Sequence, residues 1–82
     1  MLLAISQAGH DKGRLYVILK EDDEYTYLCD GKYRSLDNPK KKRKKHVQVI
    51  KEIPTNVAEL IKDGQLLNNE GIKRAIKLYH ER

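Results

Sequence analysis

The first fifty residues contain short apolar runs separated by turn-forming residues, and this spacing constrains the fold more than any other feature of the sequence. Residues 15–19 and 25–29 are rich in β-branched and aromatic side chains, which is typical of strands. The acidic residues 21–24 separate these two runs, and residues 3–5 form a further short apolar segment. About five short strands in so few residues predict a small β-barrel.

A tight turn is predicted where the second of these strands ends. Asp30-Gly31 suits the positive φ values of a type I′ hairpin turn, so residues 33–36 are predicted to pair back as a third strand. Residues 37–39 end in proline and interrupt the pattern, because proline fixes φ and lacks a donor. The lysine-rich residues 40–45 are therefore expected to form a loop or a strand edge.

Beyond Pro54 the hydrophobic period changes from two residues to between three and four, which predicts helices. A first short helix has an apolar face, and Gly64 is placed to end it. A second helix is predicted after Asn68, a candidate N-cap. The apolar positions of the two helices are Val57, Leu60, Ile61, Ile72, Ala75, Ile76 and Tyr79.

The expected fold is mainly β with one or two C-terminal helices. Residues 1–53 are predicted to form the barrel, and residues 54–82 a helical extension packed on it within a single domain. About 60% of the unfolded surface is buried near this size, so the core is modest. The polar face of the second helix, with Lys73, Arg74 and Lys77, is interpreted as a solvated face in preference to a ligand contact.

Positive charge is concentrated in one stretch of the chain. Residues 32–51 contain nine of the 17 Lys and Arg residues against one acidic residue, Asp37, so this stretch carries +8 and the remainder −3. The lysine run is followed by strand-like residues 46–50, which predicts that it belongs to the folded domain and is not a tail. Nucleic acid is therefore the leading partner class.

The residue pattern does not favour an enzyme or a metal site. His10, His46 and His80 have no metal-ligand spacing with one another or with Cys29. Cys29 falls inside a predicted strand and is interpreted as a small apolar filler. The acidic residues 21–24 are interpreted as a solvated turn. We expect no catalytic residue, no metal and no cofactor.

A cytoplasmic location is expected, because a single cysteine cannot form an internal disulfide and fits a reducing compartment. No signal-like segment opens the sequence, and its first apolar residues are far too few to cross a bilayer. We expect no association with a membrane.

The turn before the first long strand resembles a KOW motif. Residues 7–19 place a glycine-bearing turn before an apolar strand, and Gly13 matches the hallmark glycine of that motif. The likeness continues through DGK at 30–32, PKKK at 39–42 and HV at 46–47. This ordered combination is similar to the KOW-domain large-subunit ribosomal proteins of archaeal and eukaryotic type and their short bacterial relatives.

The resemblance implies an SH3-like barrel that binds structured RNA, typically ribosomal RNA of the large subunit, with other ribosomal proteins as further partners in translation. A different KOW branch docks on polymerase or ribosomal proteins, so the alternative is an adaptor that couples transcription to translation. The short first strand would leave an exposed barrel edge that could pair weakly with a second copy of the chain.

The candidate RNA-binding residues are basic or aromatic and lie on the predicted rim of the barrel. They are Lys12, Arg14, Lys32, Tyr33, Arg34, Lys40, Lys41, Lys42, Arg43, Lys44, Lys45 and His46. The cations are expected to contact phosphates, and Tyr33 is a candidate for base stacking. Gly9 and Gly13 are expected to shape the KOW turn and could bring backbone amides close to a phosphate.

Overall fold

A five-stranded antiparallel sheet forms the centre of the computed structural model, which describes residues 2–62 and 68–81. The strands are β1 (Leu2–Ser6), β2 (Leu15–Glu21), β3 (Tyr25–Cys29), β4 (Lys40–Arg43) and β5 (Val47–Val49). A 3₁₀ turn, Lys44–His46, joins β4 to β5. The order across the sheet is β4-β3-β2-β1-β5, and the sheet curls into a half-barrel. The expectation of a mainly β fold is confirmed.

Two helices follow the sheet, as predicted: α1 (Thr55–Lys62) and α2 (Asn69–His80). Asn68 is the N-cap of α2, because its side-chain oxygen accepts from the amide of Gly71 at 2.7 Å. The predicted end of the first helix, Gly64, lies outside the described residues. In the part of the chain that the structure describes, no helix has the length and apolar character needed to cross a membrane.

Successive side chains of β1, β2 and β3 alternate between two apolar clusters, as the pleat of a strand requires. One face of the sheet packs on the helices. The buried residues of this cluster are Leu3, Leu15, Val17 and Cys29 from the sheet and Val57, Ile72 and Ala75 from the helices. The other, curled face buries Ala4, Tyr16, Ile18 and Leu28. Cys29 has no exposed surface, and burial raises the pKa of its thiol, in keeping with a filler role.

The predicted third strand at residues 33–36 is wrong, because these residues form a loop. The Asp30 carboxylate accepts from the amides of Lys32 at 2.9 Å and Arg34 at 2.8 Å, and such local bonds compete with strand pairing. A type I′ turn needs two residues with positive φ, whereas Gly31 alone has it here, at 79°. The strand that pairs with β3 is instead β4, from the lysine run.

Candidate nucleic-acid interface

The turn between β1 and β2 is closed by its own backbone. Gly9 and Gly13 have φ of 84° and 89°, a region that glycine enters without steric cost. The amide of Gly13 donates to the carbonyl of Ser6 at 2.8 Å, and the amide of Arg14 donates to the carbonyl of Asp11 at 2.9 Å. These two amides therefore already have partners inside the turn and are not available to a phosphate.

Asp11 is a buried carboxylate, 7% exposed, at the centre of a polar network on the curled face. Its Oδ1 accepts from Ser6 Oγ at 2.9 Å and from Lys42 Nζ at 3.0 Å. Its Oδ2 accepts from Tyr16 OH at 2.9 Å and from Lys40 Nζ at 2.9 Å. All four donors stabilise the ionised carboxylate, so the network ties the turn to both β2 and β4.

The network changes the titration of its members. Burial alone would raise the pKa of the Asp11 carboxyl, but the hydrogen bonds from Lys40, Lys42, Ser6 and Tyr16 outweigh burial and hold that pKa well below its usual range. Burial and the bond to Asp11 raise the pKa of Tyr16 to about 12. Both pKa shifts favour an ionised Asp11 carboxylate paired with a neutral Tyr16 phenol.

Half of β4 therefore faces inward. The side chains of Lys40 and Lys42 are 28% and 11% exposed, and Lys42 Nζ also donates to the carbonyl of Ala8 at 2.7 Å. Their partners are a carboxylate and a carbonyl of the protein itself. Although both lysines are candidate RNA contacts by sequence, the structure places their ammonium groups in an interior network.

The other half of the lysine run faces outward and has partners of its own. Lys41 Nζ lies 4.2 Å from the ring centroid of Tyr25. Arg43 pairs with Glu24 at 2.9 Å, and Lys44 approaches Glu21 at 4.0 Å. Exposed pairs of this kind contribute about 0–1 kcal/mol each. The acidic turn before β3 therefore offsets part of the charge of the lysine run.

Four other candidate residues lie apart from these pairs. Lys12 and Lys45 are exposed, and Arg34 is half-buried in the loop after β3. The carbonyl of Arg34 accepts from the amides of Asp30 and Gly31. His46 is half-buried, and its carbonyl accepts from the amide of Gln7 at 2.8 Å. These bonds use backbone carbonyls: the bonds to Arg34 close the loop after β3, and the bond to His46 joins the 3₁₀ turn to the residue after β1.

A groove of about 590 Å³ lies where the turn before β2, the loop after β3 and the face of α2 meet. We call it the α2 groove. Its polar and aromatic lining residues are Arg14, Asp30, Lys32, Tyr33, Lys73, Lys77 and His80. Three of the sequence-derived candidates, Arg14, Lys32 and Tyr33, thus lie together with the basic face of α2, which the sequence alone had favoured as solvated.

Tyr33 is the most exposed aromatic ring of the described residues, with 66% of its surface accessible. The Arg14 guanidinium carbon lies 5.2 Å from the ring centroid, and Lys32 Nζ lies 5.0 Å from it. Cation–π contacts at exposed positions contribute about 0.5–1 kcal/mol. Two cations thus lie near the ring while most of its surface stays open to solvent.

Contacts with the start of α2 hold the loop that carries Tyr33. At Gly31 a Cβ would overlap the backbone oxygen of Asn69 and approach Lys73 Cγ to 2.8 Å, so only glycine allows this close packing. The amide of Leu36 donates to Asn69 Oδ1 at 2.9 Å. These two contacts set Tyr33 opposite the basic face of the helix.

The cations of the α2 groove are less neutralised than those of β4. Lys73 pairs with the exposed Glu70 at 2.9 Å. Within residues 2–62 and 68–81, Arg14, Lys32 and Lys77 form no ion pair with a carboxylate. The basic strip of α2 is visible in the sequence, but no local pattern indicates that it faces residues forty positions earlier.

Across the described ranges, no group of three His, Cys, Asp or Glu side chains is arranged to hold a metal ion. No protein-family model matches the sequence, and no curated protein matches it either. The arrangement of charge and aromatic surface is therefore the main guide to function.

Proposed function

We propose that this protein binds structured RNA as a component or associated factor of the large ribosomal subunit. The observation that carries the proposal is the α2 groove, in which the exposed ring of Tyr33 lies close to Arg14 and Lys32 beside the basic face of α2. Unpaired cations attract phosphates, and an exposed ring accepts an unpaired base. This combination suits RNA better than it suits an acidic protein surface.

The ribosomal part of the proposal depends on the KOW-like pattern. A curled five-stranded sheet with a 3₁₀ turn between β4 and β5 is compatible with the SH3-like barrel that the pattern implies. The positive φ of Gly9 and Gly13 agrees with the tight turn of that motif. Recognition would depend on phosphate positions, 2′-hydroxyls and unpaired bases, because A-form RNA keeps its base edges in a deep, narrow groove.

The test compares two triple variants that each remove three exposed positive charges. Arg14→Gln, Lys32→Gln and Lys77→Gln change the α2 groove, and Lys41→Gln, Arg43→Gln and Lys44→Gln change the lysine run. Binding to an RNA hairpin with an unpaired loop is measured by fluorescence anisotropy over a range of salt concentrations. We expect the groove variant to reduce the slope of log affinity against log salt by about two, since each phosphate contact contributes about 0.7.

The control variant should change that slope by less than half as much. Equal losses in the two variants would mean that affinity follows net charge and not the α2 groove. Crosslinking and sequencing of bound RNA, with sedimentation beside large subunits at increasing salt, tests the ribosomal part. Recovery of polymerase or another protein without RNA would overturn the proposal in favour of a docking adaptor.

A further inference from the structure

We infer that the α2 groove receives one unpaired nucleotide of the RNA, with its base against Tyr33 and its phosphate beside Arg14 and Lys77. The inference rests on the proposed RNA binding and names the element of the RNA that this site recognises. It also assigns a binding role to Lys77, on the helix face that the sequence favoured as merely solvated.

The size and walls of the groove fit one nucleotide. A volume of about 590 Å³ falls within the range of about 300–1,000 Å³ that small-molecule sites occupy. A base within a duplex is paired and stacked on both sides, so it has no free face for Tyr33. A bulged or loop nucleotide has such a face, and its backbone keeps a phosphate within reach of the groove.

The ring of Tyr33 can exchange one of its cations for a base. It remains 66% exposed even though Arg14 and Lys32 both approach it. Base stacking on an aromatic ring is stronger than an exposed cation–π contact. Lys32 has a flexible four-carbon stem, so its ammonium can leave the ring and make room for the base, while the guanidinium of Arg14 can bind the phosphate.

Charge on the groove walls orients the nucleotide. The Asp30 carboxylate lines the groove near Tyr33, and its Oδ1 is already held by the amides of Lys32 and Arg34. A carboxylate repels phosphate but accepts from the amino and imino groups of a base. The phosphate is therefore placed toward Arg14 and Lys77, and the base edge toward Asp30.

The test uses three RNA hairpins that differ at one position: a single bulged nucleotide, the same bulge without its base, and the fully paired stem. We expect the chain to bind the bulged hairpin about 5- to 140-fold more tightly than the other two, the range that corresponds to the loss of one base–aromatic stack. Tyr33→Leu should remove this preference, and Tyr33→Phe should keep it.

Tyr25→Leu is the matched control, because Tyr25 also carries a nearby cation but lies on β3, outside the groove. Urea unfolding of each variant checks that the fold is kept. Equal binding of the three hairpins, with the groove cations still controlling the salt slope, would overturn this inference and leave RNA binding in place. If the unaltered chain binds none of the three hairpins, both this inference and the proposed RNA binding are overturned. Free AMP that competes as strongly as the bulged hairpin would mean a small-molecule site and overturn the inference.

Discussion

Strand β4 and the α2 groove both contain clustered positive charge, but they use it in opposite ways. In β4 four consecutive basic residues alternate between the two sides of an edge strand, and two of them pair with the buried Asp11. In the α2 groove the cations come from three separate segments, and Arg14 and Lys77 have no carboxylate partner among the described residues. The density of lysines along a chain therefore does not indicate how many of their charges remain without a carboxylate partner.

The inward lysines also affect the edge of the sheet. β4 and β5 are the two edge strands, and charged residues that point inward are a known way to protect an edge from pairing with another chain. Lys40 and Lys42 give β4 this protection. Weak pairing of a sheet edge with a second copy of the chain stays a prediction. The edge that suits it better is β5, whose Val49 is exposed.

The largest expected effect comes from Asp11→Ala, which leaves the ammonium groups of Lys40 and Lys42 without their carboxylate. We expect a loss of about 2–4 kcal/mol in the free energy of unfolding, slightly below the usual cost of breaking a buried pair because Lys40 reaches water. Urea denaturation measures it, with the exposed Asp37→Ala as control. A loss below 0.5 kcal/mol, which is about the scale of a surface substitution, would mean that β4 does not depend on this network.

The same pair of proteins gives a pH test. The folded-state pKa of Asp11 lies below its usual value of 3.8, so its stabilisation is fully present above that value and is lost as pH falls further. The difference in stability between the unaltered chain and Asp11→Ala should therefore shrink below about pH 4. If Asp11→Ala does not fold, Asp11→Asn provides the comparison, and a constant difference down to pH 2 would contradict the assignment.

The second effect distinguishes two glycines that both have positive φ. Gly13→Ala meets no neighbouring atom, so we expect only the conformational cost of about 1–2 kcal/mol. Gly31→Ala also collides with the backbone of Asn69, and we expect a larger loss of unfolding free energy together with weaker binding of the bulged hairpin. Equal effects on stability and on RNA affinity would mean that contact with α2 does not position the loop.

A smaller effect is expected for Tyr16→Phe, which removes one of the four donors to Asp11. The loss should be about 1 kcal/mol, below the range of about 1.5–3 kcal/mol for a hydrogen bond to a charged group, because three donors remain. The pKa of Tyr16 is raised from 10.0 to about 12, so its contribution is present below pH 10 and is lost as pH rises toward 12. Urea denaturation over this range should show the two proteins converging, and a difference that grows would contradict the bond.

The smallest effect is expected for Arg43→Gln, which removes the exposed pair with Glu24. Both side chains are about half exposed, at 48% and 61%, so the change in unfolding free energy should stay within about 0.5 kcal/mol. Thermal unfolding at low and high salt measures it. A loss as large as that of Asp11→Ala would remove the contrast between the inward and outward sides of β4.

Local patterns in the sequence were enough to place most elements. The apolar runs predicted β1, β2 and β3, and Asn68 predicted the start of α2. The strand expected at residues 33–36 failed because Asp30 bonds to nearby amides, and no alternation of side chains reveals such a competition. The partner of β3 is instead the lysine run, which forms an edge strand, one of the two structures expected for it.

The candidate site was predicted only in part, for a related reason. Arg14, Lys32 and Tyr33 could be selected as basic or aromatic residues of the predicted rim, but no local pattern indicates that they line one groove with Lys77. Within the lysine run, sequence could not separate Lys42, which lies inside, from Lys41, which lies outside. Strand pairing decides that separation, because a shift of one residue exchanges the two faces.

By itself, the sequence determined where the chain turns and where it carries charge, since both follow from the chemistry of neighbouring residues. Glycines with positive φ, the cap of α2 and the excess of lysine are properties of this kind. Only the tertiary structure shows which cations pair with Asp11 and which have no carboxylate partner among the described residues. The pairing of each cation depends on contacts between segments tens of residues apart, and the free energy of such contacts depends on packing that no local pattern contains.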